Sequence, residues 1–311
     1  MPFYLNSLCM KKQLQLFGFL LLFAASASAQ NNTVVFQSDF GLKDGAVSAM
    51  KGVAMGVSTE LKLFDLTHEI PAYNIWEAAY RLEQTVPYWS AGTVFVSVVD
   101  PGVGTERRSV VLKTKTGHFI VTPDNGTLTL IAQSLGIDEI REIDEAVNRR
   151  KGSERSYPFH GRDVYAYTAA RLAAGAITFE QVGRQLPKQV VSIPYQQAAM
   201  DGNKIKGTIA ILDVQYGNIW TNIPAELFNK LNTKPGDTLH VVIYQDKPDG
   251  YRVKKYEGRM PYSETFGSVP AGKPLLYLNS LMQVSFALNM ANFSETHKVY
   301  SGAGWQVELW K

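Results

Sequence analysis

Apolar positions change period along the chain. Thr33-Val34-Val35-Phe36 is a short β-branched and aromatic run leading into Ser38-Asp39-Phe40-Gly41. Residues 46–57 suit a helix, and residues 61–66 a strand ending at Thr67-His68. Between Asn74 and Gln84, Ile75, Ala78, Ala79 and Leu82 fall at helical spacing. Residues 93–99 form a nearly unbroken apolar run, the mark of a strand buried on both faces. Residues 162–174 read as a further helix, closed by Gly175. Strands alternating with helices over 33–185 predict an α/β N-terminal domain with a largely parallel sheet. Beyond residue 186 the helical period fades. Strand-like segments at 205–223, 238–245, 251–258, 274–288 and 299–310 are separated by turns such as Lys234-Pro235-Gly236-Asp237. They predict a smaller all-β, barrel-like C-terminal domain over 204–311, joined through a linker at 186–203.

The N-terminus has a different texture. Lys11 and Lys12 precede an apolar stretch from Gln13 to Ala25, and Ala27-Ser28-Ala29 follows as a small-residue cleavage pattern. Residues 1–29 thus read as a secretory signal peptide, and the protein as exported, periplasmic or secreted. The apolar stretch is short for a membrane span, and no stable membrane partner is expected. Of 31 Lys and Arg against 28 Asp and Glu, only Lys11 and Lys12 lie in that segment, so the remainder carries 29 − 28 = +1. That balance offers no electrostatic reason for a nucleic-acid partner. Cys9 is the single cysteine and lies within the signal, leaving the exported chain without disulfide or thiolate chemistry.

Ligands in parallel sheets bind beyond the carboxyl ends of the strands. Three predicted strands end at Asp39, at Asp65 with His68, and at Asp100, the last followed by the turn Pro101-Gly102-Val103-Gly104. Any one of these reads most simply as a turn or capping carboxylate; together they point to a site. Arg107, Arg108 and Phe159-His160-Gly161-Arg162-Asp163 are further candidates, although His160 alone could be a loop histidine and Asp163 a carboxylate at a helix dipole. In the β domain, Asp213, Asn218 and Trp220 put a carboxylate, an amide and an indole close together. That mixture suits a ligand with an amine and a flat ring, and equally a twisted strand with a Gly bulge and a core Trp. Asp39, Asp100, His68 and His160 could assemble a metal site, but compact metal spacings, a P-loop, Gly-x-Gly-x-x-Gly and Gly-x-Ser-x-Gly are all absent. The residues alone leave the substrate open.

Taken in order, Ser38–Gly41, Asp65–His68, Val99–Thr105 with Arg107-Arg108, Thr122–Gly126, Phe159–Asp163 and Asp213–Asn222 resemble the S-adenosylmethionine hydroxide adenosyltransferase family, which also contains the fluorinase and chlorinase. The resemblance covers roughly residues 33–310. It implies hydrolysis of S-adenosyl-L-methionine to adenosine and L-methionine, without metal or other cofactor. It also implies a homotrimer whose site lies between one subunit's N-terminal domain and a neighbour's C-terminal domain. The hydrolytic set falls on Asp100, Arg107 and His160, with Asp100 expected to orient the other two. The halogenating branch differs at the positions of Asp100 and His160, so water rather than halide is the expected nucleophile. By the same matching Asp39 holds the ribose, and Tyr73, Phe159 and Gly161 lie at the substrate. Asp213 meets the methionine ammonium and Asn218 the adenine. Trp220 and Phe266 give flat surface, and Ser280 lies near the carboxylate. Leu281 and Leu288 stand where the halogenases have Arg. The competing expectations are an exported nucleoside-binding protein with little turnover, and a halogenase.

Overall fold

The computed structural model describes residues 31–311, so the expected signal peptide over 1–29 lies outside the described residues. The N-terminal domain is a six-stranded sheet with helices on both faces. Its elements are β1 (Thr33–Ser38), α1 (Ala46–Val57), β2 (Lys62–Thr67), α2 (Ile75–Thr85), β3 (Val94–Val98), β4 (Ser109–Thr114), β5 (Phe119–Pro123), α3 (Thr129–Ser134), β6 (Ile137–Glu142), α4 (Glu145–Asn148) and α5 (Tyr167–Ala173). The strand order is β2-β1-β3-β5-β4-β6. β2, β1, β3 and β5 run parallel, while β4 is antiparallel to both neighbours.

Alternation sorts the strands' side chains between two cores. Val34, Phe36, Val94, Val96 and Val98 pack under α1 and α5 with Met50, Ala54, Val164 and Ala169. Val35, Phe95, Leu112 and Ile120 face the other way, against Leu82, Leu128 and Ile131. Burial on both faces is why β1 and β3 read as continuous apolar runs. α2 begins where the Asn74 side chain accepts the Glu77 amide, a capping contact that satisfies one of the helix's free donors. The helix expected over 162–174 exists, but its first turns, Gly161–Ala166, are wound as a wide π segment beginning directly after His160.

The C-terminal domain is an antiparallel curled sheet, a half-barrel. β7 (Ala199–Asp201), β8 (Lys204–Asp213), β9 (Asn218–Pro224), β10 (Thr238–Asp246), β11 (Arg252–Pro261), β12 (Pro274–Leu278), β13 (Gln283–Leu288) and β14 (Trp305–Trp310) follow one another. Two short helices, α6 (Ala225–Phe228) and α7 (Phe293–His297), lie between strands. The sheet runs β11-β10-β14-β8-β9-β13-β12, with β7 added beside β8. Among the described residues its ends meet at one Tyr262–Leu276 bridge, which leaves the barrel half closed.

α2 joins the two domains. Its Ala78 and Leu82 are buried toward the sheet side. Trp76 and Tyr80 instead pack with Ala210, Ile211, Trp220 and Leu281 of the half-barrel. The Trp76 Nε1 donates to the Ala210 carbonyl at 2.7 Å. The connecting segment is tied down along the way: the amides of Val191 and Ile193 donate to Asp124 and Thr129.

Candidate active site

Two cavities contain nearly all the candidate residues. The first, of about 290 Å³, opens at the carboxyl ends of β1 and β3 and is lined by Asp39, Phe40, Tyr73, Val98, Asp100, Val103, His160 and Gly161, among others. Parallel strands place Asp39 and Asp100 side by side, since Ser38 pairs with Val98. Asn125 supports this end by donating to the Val99 carbonyl at 2.9 Å, which gives the Thr122–Gly126 stretch a structural duty.

Asp100 is held by Arg107. The guanidinium Nε donates to both carboxylate oxygens, at 2.9 and 3.0 Å, and Nη2 to Oδ2 at 2.6 Å. The Tyr165 hydroxyl adds a longer contact to Oδ2 at 3.4 Å. Oδ1 is thus the less occupied oxygen, with a lone pair left for a guest. Arg107 does not line the cavity; it stands behind Asp100 and is fixed further by the Ser109 hydroxyl at 3.2 Å. Burial opposes its charge, but the hydrogen bonds to Asp100 and the surrounding groups raise its pKa, so it stays a permanent cation. Burial also pushes the Tyr165 hydroxyl up, keeping it a neutral donor.

His160 shares the cavity wall with Asp100, but no hydrogen bond joins the two among the described residues. The expectation that Asp100 orients the imidazole is therefore corrected. The Tyr157 carbonyl accepts from Nδ1 at 2.6 Å, which places a proton on that nitrogen. Nε2 faces Arg149 Nη2 at 3.3 Å and Glu145 Oε1 at 3.5 Å, and Arg149 is itself tied to Glu145 at 2.8 Å. The neighbouring His160 ring holds the Glu145 carboxyl down to about 2, against the opposing effect of burial and with help from Arg149. α4 carries Glu145 and leads into Arg149, so the imidazole is braced from a different element than Asp100.

Gly161 must be small. A Cβ there would meet Val98 at 3.1 Å and Phe40 at 3.3 Å, so the π segment packs directly on the strand end. Tyr73 is unusual in another way. Its backbone is left-handed (φ 67°), its side chain is 72% exposed, and its amide donates to Asp39 Oδ2 at 2.9 Å. Phe159 packs edge-on to Phe40 at 5.8 Å and beneath the Arg162 guanidinium at 4.9 Å, one layer back from the cavity. Asp65 and His68 do not join the site. His68 is buried between the Ser38 hydroxyl at 2.7 Å and Asp65, which also pairs with Lys51. Asp163 is fully buried in a bidentate pair with Arg162.

The second cavity, of about 610 Å³, lies in the half-barrel and gathers Asp213, Asn218, Trp220, Phe266 and Ser280, joined by Tyr277 and Asn279. Asp213 and Asn218 pair across the end of the β8–β9 hairpin, and the amide of Asn218 donates to Asp213 Oδ2 at 3.2 Å. The Trp220 Nε1 donates to the Tyr277 hydroxyl at 3.2 Å, and Phe266 leans on the same tyrosine ring at 4.9 Å. The result is a flat-walled slot with a carboxylate at one end. Tyr277, Glu145, Tyr157 and Tyr165 escaped the sequence reading. Of these, only Glu145 carried a local signal, its spacing of four from Arg149.

Within one chain the two cavities share no lining residue. Exposed apolar groups line each: Tyr73 and Val103 the first, Tyr216, Phe266 and Met290 the second. Two separate pockets, one polar and one flat-walled with a carboxylate, suit a small-molecule enzyme. The chain belongs to the SAM hydroxide adenosyltransferase family: that family's N-terminal domain matches residues 34–183 and its C-terminal domain residues 207–306. It is 36% identical over 214 residues to the (R)-S-adenosyl-L-methionine hydrolase of Methanocaldococcus jannaschii, covering 68% of this chain and 73% of that protein. With the hydrolase of the same name from Salinispora tropica it shares 33% over 257 residues, 82% of this chain and 90% of the relative. A fluorinase from Actinopolyspora mzabensis is 27% identical over 302 residues, covering 89% and 97%. Among solved structures, an uncharacterized conserved protein from Thermotoga maritima superposes with a TM-score of 0.80 at 33% identity, covering 89% of this chain and all of that one.

Proposed function

We propose that the protein hydrolyses S-adenosyl-L-methionine to adenosine and L-methionine, by attack of water on the ribose C5′ in a site completed by a second copy of the chain. The observation that carries this reading is the Asp100 carboxylate, gripped from behind by Arg107, beside His160 on one cavity wall. It supports an enzyme whose nucleophile is an oriented water. The C5′–S bond breaks with both electrons going to sulfur, so methionine leaves as a neutral thioether and needs no acid. Asp100 Oδ1 receives one hydrogen of the water and aims its lone pair. Arg107 fixes the direction of that carboxylate and stabilises hydroxide character nearby. His160 takes the released proton on Nε2 when the ring enters the cycle neutral, and Glu145 then serves as its counter-ion. Correct placement alone contributes on the order of 7–11 kcal/mol to such a displacement.

The second cavity supplies the recognition. Trp220 and Phe266 sandwich the adenine, Asn218 bonds its edge, and Asp213 meets the ammonium. Asp39 takes the ribose hydroxyls. Two half-sites in different domains, each ringed by exposed apolar side chains, favour a closed ring of copies, and the assembly is a homotrimer. No metal takes part, and the chain acts outside the cytoplasm after losing residues 1–29.

Residues 30–311 are to be incubated with S-adenosylmethionine, with and without chelator, beside an Asp100→Asn variant. Adenosine and methionine in equal amounts, unaffected by chelator and lost in the variant, is the expected outcome. Tight binding of nucleoside without products would move the reading to a nucleoside-binding protein.

A further inference from the structure

Resting on that hydrolytic reading, we infer that the tail of the substrate is recognised through its amine alone, so that an adenosyl sulfonium bearing an aminopropyl tail and no carboxylate is at least as good a substrate as S-adenosylmethionine. The charges on the two walls carry this. Among the described residues no Lys or Arg lines either cavity. In the half-barrel the one ionised group on the wall is Asp213, and its only side-chain partner is the neutral amide of Asn218. In the other cavity the Asp100 charge is matched by Arg107 from behind, while Asp39 accepts only the Tyr73 amide.

A guest's amine therefore finds in Asp213 a carboxylate without an ionic partner, and a guest's carboxylate finds no cation on either wall. Ser280 is exposed on the wall and offers a hydroxyl, a neutral donor. The side chain of Leu281 turns away and packs with Trp76 and Tyr80 between the domains, and Leu288 presents only hydrocarbon to the cavity. Carboxylates are held strongly by the planar fork of an arginine, and a neutral hydroxyl is a much weaker substitute. An acid group entering beside Asp213 also meets a like charge. Removing it sacrifices only neutral contacts, the Ser280 hydroxyl and the Asn279 amide among them, and relieves that repulsion, while the amine keeps Asp213. The chemistry is unchanged: water oxygen bonds to C5′, the C5′–S bond breaks onto sulfur, one proton is released, and the products are adenosine and an aminopropyl methyl thioether.

The mature chain is to be titrated calorimetrically and assayed for adenosine release with S-adenosylmethionine, its decarboxylated counterpart, and the analogue that keeps the carboxylate but lacks the amine. The expected result is a kcat/KM and an affinity for the decarboxylated compound equal to or several-fold above those for S-adenosylmethionine, with the amine-free analogue at least tenfold poorer. A tenfold or greater preference for S-adenosylmethionine over the decarboxylated compound overturns the inference and leaves the hydrolase standing. Binding of both without adenosine release defeats the hydrolase, and the ratio of affinities still decides how the tail is read. Binding of neither overturns both.

Discussion

Asp100 and His160 stand on one wall yet depend on different supports, and substitutions should separate them. Asp100→Asn keeps the shape but loses the charge that Arg107 grips, so kcat should fall by about 100-fold with KM nearly unchanged; steady-state kinetics of adenosine release would check this, and a rise in KM at constant kcat would contradict it. Glu145 makes a prediction about stability. Its carboxyl is held near 2 in the folded chain, below the roughly 4.3 of an unfolded glutamate. Its stabilising effect is therefore complete above about pH 5 and is lost as pH falls through the unfolded value toward 2. Urea unfolding of the native chain and Glu145→Gln should show a stability gap that closes over that range; a gap independent of pH would remove the His160–Glu145 contact from the account. The sequence exposed the candidate groups, because Asp39, Asp100 and His160 sit at strand ends or a helix start where polar residues interrupt apolar runs. It hid their braces. Tyr165 and Glu145 act across the fold, and Tyr157 through its backbone carbonyl, none of which a periodicity encodes.

At the scale of elements, legibility followed the regularity of the apolar pattern more than burial, since β4 and β5 are nearly as buried as β1 and β3. β1, α1, α2 and β3 were plain because each is apolar over most of its length or at regular helical spacing. β4, β5 and β6 went unread. β6 alternates Ile with Asp, Glu and Arg, a half-covered strand at the sheet's edge whose charges mask its period. The π segment after His160 was also beyond reach, since helix and π turn share one apolar pattern. The β8–β9 hairpin supplies a test at this scale. Gly217 is left-handed (φ 69°), and a Cβ on it would overlap Asn292, whose side chain caps α7 by accepting the Glu295 amide. Gly217→Ala should therefore cost about 2 kcal/mol, from backbone strain and the disturbed cap together. It should also weaken nucleoside binding, because Asp213 and Asn218 flank the same turn. Denaturant melts and calorimetry report the two effects separately.

Across the whole molecule, the proposed assembly means that no single chain owns a complete site. Chains with Asp100→Asn keep a sound half-barrel, and chains with Asp213→Ala keep a sound reaction wall. Each alone should be inactive, the second for want of binding. Co-refolded in equal amounts, they should recover roughly a quarter of native activity, because a quarter of the junctions in a random closed ring unite two intact halves. No recovery in mixed rings of confirmed composition would place the whole site within one chain. Domain order and the all-β texture of the second half were readable from turn spacing. The half-closed barrel was not, because closure depends on strand number and stagger rather than on any residue.

Trp220 belongs at once to the guest's slot, to the Tyr277 hydroxyl and to the cluster around α2. That position makes it a built-in optical reporter. A purine lying on the indole should quench its emission, so occupancy becomes visible without a label. Trp76 and Trp305, both 7% exposed, should contribute a steady background. If Trp220→Phe abolishes the change while Trp305→Phe leaves it intact, the light comes from the binding slot itself.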